Sequence, residues 1–60
     1  MKIEFISDYG YEIVDSPTIP RVGEKIDIRI DGHSRYWYVK SVIYTYNTKG
    51  EFEMVTIHLE

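Results

Sequence analysis

The chain has 60 residues with no cysteine, and its formal net charge is −3 at pH 7. A chain of this length forms one domain, near the lower limit at which a protein folds alone, and it has no disulfide to stabilise it. The aromatic share of 15% is too high for a disordered chain. The first residues lack the long apolar run of a signal peptide or membrane span, so we expect a cytoplasmic protein.

The N-terminal third predicts two short strands. Lys2 to Ile6 alternates, with Ile3 and Phe5 on one face, and reads as a first strand. Ser7 to Gly10 is a turn signal, and Tyr11 to Val14 reads as a short second strand. The two prolines between Asp15 and Pro20 exclude a central strand there, so this stretch is predicted to be a loop.

The third strand has the clearest alternation in the sequence. Pro20 and Gly23 precede it, and Gly23 is expected to adopt a positive φ or a bulged conformation as the strand begins. From Lys25 to Asp31, the three isoleucines at alternate positions face inward and the charged residues face outward. The Asp-Gly pair then predicts a hairpin loop over residues 31–34.

Arg35 to Asn47 is the longest predicted strand, rich in β-branched and aromatic residues. Its apolar residues change phase between Val39 and Val42, so we expect a β-bulge or sharp bend near Lys40 and Ser41. With the bulge, one core takes in Trp37, Val39, Val42, Tyr44 and Tyr46. The alternative, without a bulge, buries Trp37, Val39 and Ile43 and leaves four tyrosines outside.

A second hairpin loop over Asn47 to Gly50 leads into the last strand, Glu51 to Leu59. Val55, Ile57 and Leu59 are predicted to face inward, and Met54, Thr56 and His58 outward. Five short strands with turns every eight to twelve residues are typical of a small barrel. The sequence therefore predicts an all-β fold, a single five-stranded barrel over residues 1–60 with a long bent strand.

The pattern Pro20-x-Val22-Gly23-Glu24-x-Ile26-x-Ile28, followed by Trp37-x-Val39-x-x-Val42 and Val55-x-Ile57-x-Leu59, resembles small SH3-like β-barrel proteins. Many of these are found in bacteria and bacteriophages. The resemblance covers about residues 19–59 and implies the barrel fold, since its motifs encode barrel geometry. By analogy it suggests a phage protein that acts as an inhibitor of a host or defence protein.

No catalytic or metal-binding motif is present. His33 lies in a predicted loop and His58 on an outward face, and no spacing matches a known metal pattern. The serines lie in turns or at the expected bend, and a barrel of 60 residues has little room for a pocket. We therefore expect neither an enzyme nor a cofactor.

The aromatic residues are the strongest functional signal. Several outward aromatic side chains on one side of a sheet suggest an interface, for which tyrosine is well suited. The alternative is that they form cross-strand pairs that stabilise the sheet. We expect a protein-interaction module that forms a two-fold homodimer and engages a second protein. The candidate interface residues are Tyr36, Tyr38, Ile43, Tyr9 and Tyr11.

Residues 21–40 are locally basic, which supports an alternative function. Aromatic platforms beside basic side chains bind single-stranded nucleic acid or RNA. The candidate contacts are Lys25, Arg29, Arg35 and Lys40, expected to flank Tyr36 and Tyr38. The overall negative charge and the interleaved Asp27 and Asp31 oppose this interpretation.

Overall fold

Five β-strands and no helix make up the computed structural model, which describes residues 1–60. The strands form one curled, barrel-like sheet in the order β2-β1-β5-β4-β3. All neighbours are antiparallel except β1 and β5, which are parallel. The predicted all-β fold with five strands is confirmed. The strands are β1 (Lys2–Ser7), β2 (Gly10–Asp15), β3 (Lys25–Ile30), β4 (His33–Tyr46) and β5 (Phe52–Leu59).

The structure has no helix that is long and apolar enough to cross a lipid bilayer.

The turn between β3 and β4 is tighter than the predicted four-residue loop. Only Asp31 and Gly32 form it, and Ile30 pairs directly with His33. Both turn residues have positive φ, 49° and 80°, as a type I′ turn requires, and this turn matches the twist of the flanking strands. His33 and Ser34 are therefore strand residues, and the loop prediction for them was wrong.

A bulge in β4 confirms the predicted bend. Val39 pairs with Leu59 and Ser41 with His58, so Lys40 is an extra residue in this strand. β3 pairs with the part of β4 before the bulge, whereas β5 pairs mainly with the part after it. Trp37 and Val39 are buried, and Val42 packs against the same core after the phase change.

Tyr44 and Tyr46 do not fill or cap the core, which corrects the prediction for them. They are 51% and 58% exposed. Both tyrosines face the core side of the sheet, since Tyr44 lies opposite the buried Val55. However, β1 pairs with β5 only from Val55 onward, so β1 does not extend to the hairpin end where the tyrosines lie. The hairpin end beyond that level therefore has no neighbouring strand to cover it. There Tyr46 packs edge-to-face on Phe52, with ring centroids 5.8 Å apart.

Eight buried side chains form the core, and β2 contributes none of them. Along β3 burial rises toward the turn: Ile30 is fully buried, whereas Ile26 and Ile28 are half-buried at the open edge of the sheet. The Trp37 indole Nε1 donates a hydrogen bond to the Ile28 carbonyl oxygen at 3.1 Å, so its polar atom is satisfied. The core comprises Ile3, Phe5, Ile30, Trp37, Val39, Val55, Ile57 and Leu59.

Gly23 adopts the conformation expected from the sequence. Its φ is 88°, and the Glu24 N–H donates to the Arg21 carbonyl at 3.1 Å, which closes a turn. The Gly23 N–H donates to the Val39 carbonyl and the Val39 N–H to the Glu24 carbonyl, both at 2.9 Å. Two residues thus lie opposite Val39, which is a bulge led by a positive-φ glycine.

Truncating the two isoleucines should test the burial gradient along β3. We expect Ile30→Ala to cost about 2–5 kcal/mol of unfolding free energy, the range for a buried isoleucine. Ile28→Ala removes the same atoms from a half-buried site and should cost less. Urea denaturation measures both losses. Equal losses, or a larger loss for Ile28→Ala, would contradict the burial gradient.

Substitutions at Gly23 should separate backbone strain from crowding. A Cβ built there meets no atom within 4 Å, so we expect the positive φ to be the main resistance to replacement. We expect Gly23→Val to destabilise the protein by roughly 1–2 kcal/mol, because a β-branched residue is strained at positive φ. Gly23→Asn should cost less, since asparagine tolerates this region. Thermal unfolding monitored by circular dichroism compares the two, and a larger cost for asparagine would exclude this explanation.

Candidate interaction surfaces

The outer face of the sheet carries apolar side chains that no second layer covers. One row of neighbours across four strands runs from Ile13 through Glu4 and Thr56 to Ile43. Ile13 and Ile43 are 50% and 46% exposed. A sheet with one solvated face normally alternates apolar inward and polar outward, so this row departs from the pattern. We define the outer patch as Ile6, Tyr11, Ile13, Ile43 and Met54.

A polar group lies in the middle of the outer patch. The Thr56 hydroxyl donates to Glu4 Oε1 at 3.4 Å, and both side chains are half-buried by their neighbours. Ile6 and His58 form the next row, between Tyr11 and Ser41. The apolar side chains offer contact area to a partner molecule, and the Glu4–Thr56 pair offers polar atoms that can fix the orientation of that partner.

Tyr36 and Tyr38 lie on a different part of the outer face, on the β3–β4 hairpin. Tyr38 is opposite Lys25 and Tyr36 is opposite Asp27. The Lys25 ammonium lies 4.6 Å from the centroid of the Tyr36 ring, a cation–π contact. Because the lysine occupies one face of this ring, a nucleobase could stack only on the other.

A third cluster joins the β1–β2 turn to the inner side of the β3–β4 hairpin. Tyr9 stacks on His33 with centroids 4.0 Å apart and meets Trp37 edge-on at 5.6 Å. The Arg35 guanidinium carbon lies 4.1 Å from the centroid of the Trp37 ring. A cavity of about 190 Å³ adjoins the cluster, lined by Asp8, Tyr9, Arg35, Trp37, Leu59 and Glu60. This is smaller than the several hundred Å³ of typical small-molecule sites.

Comparison of the chain with protein-family models, with curated proteins and with solved structures finds no match. Function is therefore inferred from the surfaces themselves.

The predicted interface residues are divided among these three places. Ile43 and Tyr11 belong to the outer patch, Tyr36 and Tyr38 to the hairpin, and Tyr9 to the aromatic cluster. The bend of β4 at Lys40 separates the first two groups. A single interface over all five residues thus requires a partner that follows the curvature of the sheet.

The four basic residues are divided as well. Lys25 and Arg29 share the outer face of β3 with Asp27 between them, and Lys40 is exposed at the bulge. Arg35 lies on the Trp37 side of the hairpin, away from Tyr36 and Tyr38. The structure therefore does not bring all four together beside the two tyrosines. Nucleic-acid binding through these residues stays a prediction.

Almost all charged side chains lack an ion-pair partner in the chain. The one salt bridge joins the N-terminal ammonium to Asp15 Oδ1 at 2.7 Å. This hydrogen bond, together with the positive charge of the ammonium, lowers the pKa of the Asp15 carboxyl. No three or more His, Asp or Glu side chains are grouped so that they could hold a metal ion. Lys25, Asp27 and Arg29 are thus exposed charges with free donors and acceptors.

Ile6 and Ile13 are surface residues that the sequence reading did not single out. Successive side chains of a strand point to opposite faces, and Ile6 directly follows the inward Phe5, so Ile6 lies on the outer face. Both faces of β2 carry apolar residues, so alternation alone does not show which face is inward. The pairing of Ile13 with Glu4, which the sequence does not reveal, decides it.

Proposed function

We propose that the protein is a non-enzymatic protein-interaction module that binds a second protein through the outer patch and also assembles with itself. The observation that carries the proposal is the exposed row of Ile13 and Ile43 on a sheet face that no other layer covers. Scattered apolar residues on a surface need no explanation, but Ile6 and Tyr11 pair directly on the same face beside this row, so the apolar residues form one group.

The composition of the outer patch supports a protein as the partner. Tyr11, 63% exposed, offers a large side chain that loses little conformational entropy on binding. Isoleucine and methionine supply apolar contact, and the Glu4–Thr56 pair supplies a polar contact in the centre. No lysine or arginine belongs to the outer patch, whereas a nucleic-acid surface takes most of its affinity from basic side chains.

The resemblance to SH3-like barrels adds the class of partner to this proposal. An inhibitor must cover a functional surface of its target, and the outer patch offers apolar contact area for that role. A host or defence protein as the target follows from the resemblance alone.

Introducing charge into the outer patch should abolish partner binding. We expect Ile13→Asp and Ile43→Asp to reduce binding at least about tenfold, because each buries an unpaired carboxylate in the contact. Both side chains are half-covered by their neighbours and aspartate is disfavoured in strands, so we expect the unfolding free energy to fall by about 1 kcal/mol while the protein stays folded. Wild type and variants, immobilised at equal density, are compared by the amount of each protein they retain from a bacterial lysate.

Thr48→Asp provides the matched control, since it adds the same charge at an exposed loop position outside the outer patch. This variant should retain the same proteins as wild type. Proteins retained equally by wild type and both patch variants would contradict the proposal, as would the absence of any protein retained above a blank surface.

A further inference from the structure

β3 is an edge strand whose outward backbone groups have no partner in the chain. It ends the sheet beside β4. Because Ile30 and His33 flank a two-residue turn, they form a hydrogen-bonded pair, and Ile26 and Ile28 likewise direct their backbone groups toward β4. The backbone groups of Lys25, Asp27 and Arg29 therefore point away from the sheet. An edge of this kind is a template for another strand.

The charges along this edge are self-complementary under one antiparallel register. If Asp27 of one copy lies opposite Arg29 of a second copy, two-fold symmetry places Arg29 opposite Asp27 as well. In the same register Lys25 of each copy lies toward Asp31 of the other. Each charge that projects from the edge then faces an opposite charge, and opposite charges directly across two strands stabilise their pairing.

The neighbouring registers are repulsive. Since outward backbone groups must pair with outward backbone groups, the register can change only in steps of two residues. One such step places Lys25 opposite Arg29 and Asp27 opposite itself. The step in the other direction places Arg29 opposite itself and Asp27 opposite Asp31. The charge pattern thus selects one register among the three.

The apolar side of β3 fits the same register. Ile28 lies on the two-fold axis opposite Ile28 of the second copy, and Ile26 lies opposite Ile30. Ile26 and Ile28 are half-buried in the single chain although they pack against its core. A second strand at this edge covers the part of both side chains that remains exposed, and it adds burial that a chain of 60 residues lacks.

We propose that two copies of the chain associate through antiparallel pairing of their β3 edges, with Asp27–Arg29 ion pairs on both sides of the two-fold axis. The inference rests on the self-association in the proposed function and names its surface. β2 approaches β3, and a Cβ built on Gly10 lies 3.6 Å from the Asp31 Cβ. In this register the backbone of Asp27 pairs with that of Arg29 in the other copy, and Lys25 and Asp31 take part through their side chains. Tyr36 and Tyr38 border the contact.

A charge exchange tests the register directly. We expect Asp27→Arg and Arg29→Asp, each alone, to weaken the dimer at least about tenfold, because each sets like charges opposite each other at two positions. The double variant D27R/R29D restores both ion pairs and should form a dimer like wild type. An equimolar mixture of the two single variants should form a heterodimer, since every exchanged charge then faces its opposite. Native mass spectrometry identifies the heterodimer by its mass.

Wild type at about 100 µM, measured by light scattering, must be dimeric; a monomer would overturn the proposal. A dimer that persists in both single variants would overturn it too, as would a mixture that yields no heterodimer while each variant is folded by circular dichroism.

Ile43→Asp, which tests the outer patch, should leave the dimer intact. Loss of the dimer in Ile43→Asp with no effect of the charge variants would assign self-association to the outer patch instead. If Ile43→Asp loses partner binding but still forms the dimer that depends on Asp27 and Arg29, partner binding and self-association use separate surfaces, as proposed.

Discussion

One extra residue, Lys40, changes the phase of β4 where the strand passes from β3 to β5 as its main pairing partner. A sheet of five strands with no covering layer can bury apolar side chains only by curling on itself, and the bulge provides the change of phase that keeps Trp37, Val39 and Val42 on the concave side. The curl also brings the β1–β2 turn against the β3–β4 hairpin, where Tyr9 meets Trp37. Loss of the bulge would move Val42 to the outer face and divide the core.

Alternation and turn residues were sufficient to predict the strands, because both are local properties of the chain. Ile26 to Ile30, the Asp-Gly turn and the phase change near Lys40 each show their structure in a few neighbouring residues. The pairing of strands that are distant in the sequence is not a local property and cannot be read from a few neighbouring residues. The exposure of Tyr44 depends on where β1 begins to pair with β5, and the outer patch depends on Ile13 lying across from Glu4 and Thr56. The residues of the candidate site were therefore predicted only in part, and their grouping was not.

The two proposed surfaces differ in the physics of recognition. The outer patch is apolar with one polar pair, so its affinity comes from removing side chains such as Ile43 from water. Recognition at the β3 edge would combine backbone hydrogen bonds with a pattern of charged side chains. The charge pattern discriminates between registers more than it adds affinity. The outer patch spans β2, β1, β5 and β4 and includes no residue of β3, so a dimer at the β3 edge would leave both patches free. A dimer formed in this way would present two outer patches, and linked targets would be held more tightly than a single contact allows.

The parallel pair of β1 and β5 joins the first and last strands of the chain, with Ile3 beside Val55 and Phe5 beside Ile57. All four of these side chains belong to the core. Contacts between distant parts of a chain slow folding, because the loop entropy is lost before the contacts form, and β-rich domains of this kind fold in roughly milliseconds to seconds. β5 is the central strand of the sheet and the last of these five strands to be synthesised. The core therefore cannot assemble on the ribosome until β5 has emerged, and until then the apolar residues of β1 and β3 depend on their charged neighbours for solubility.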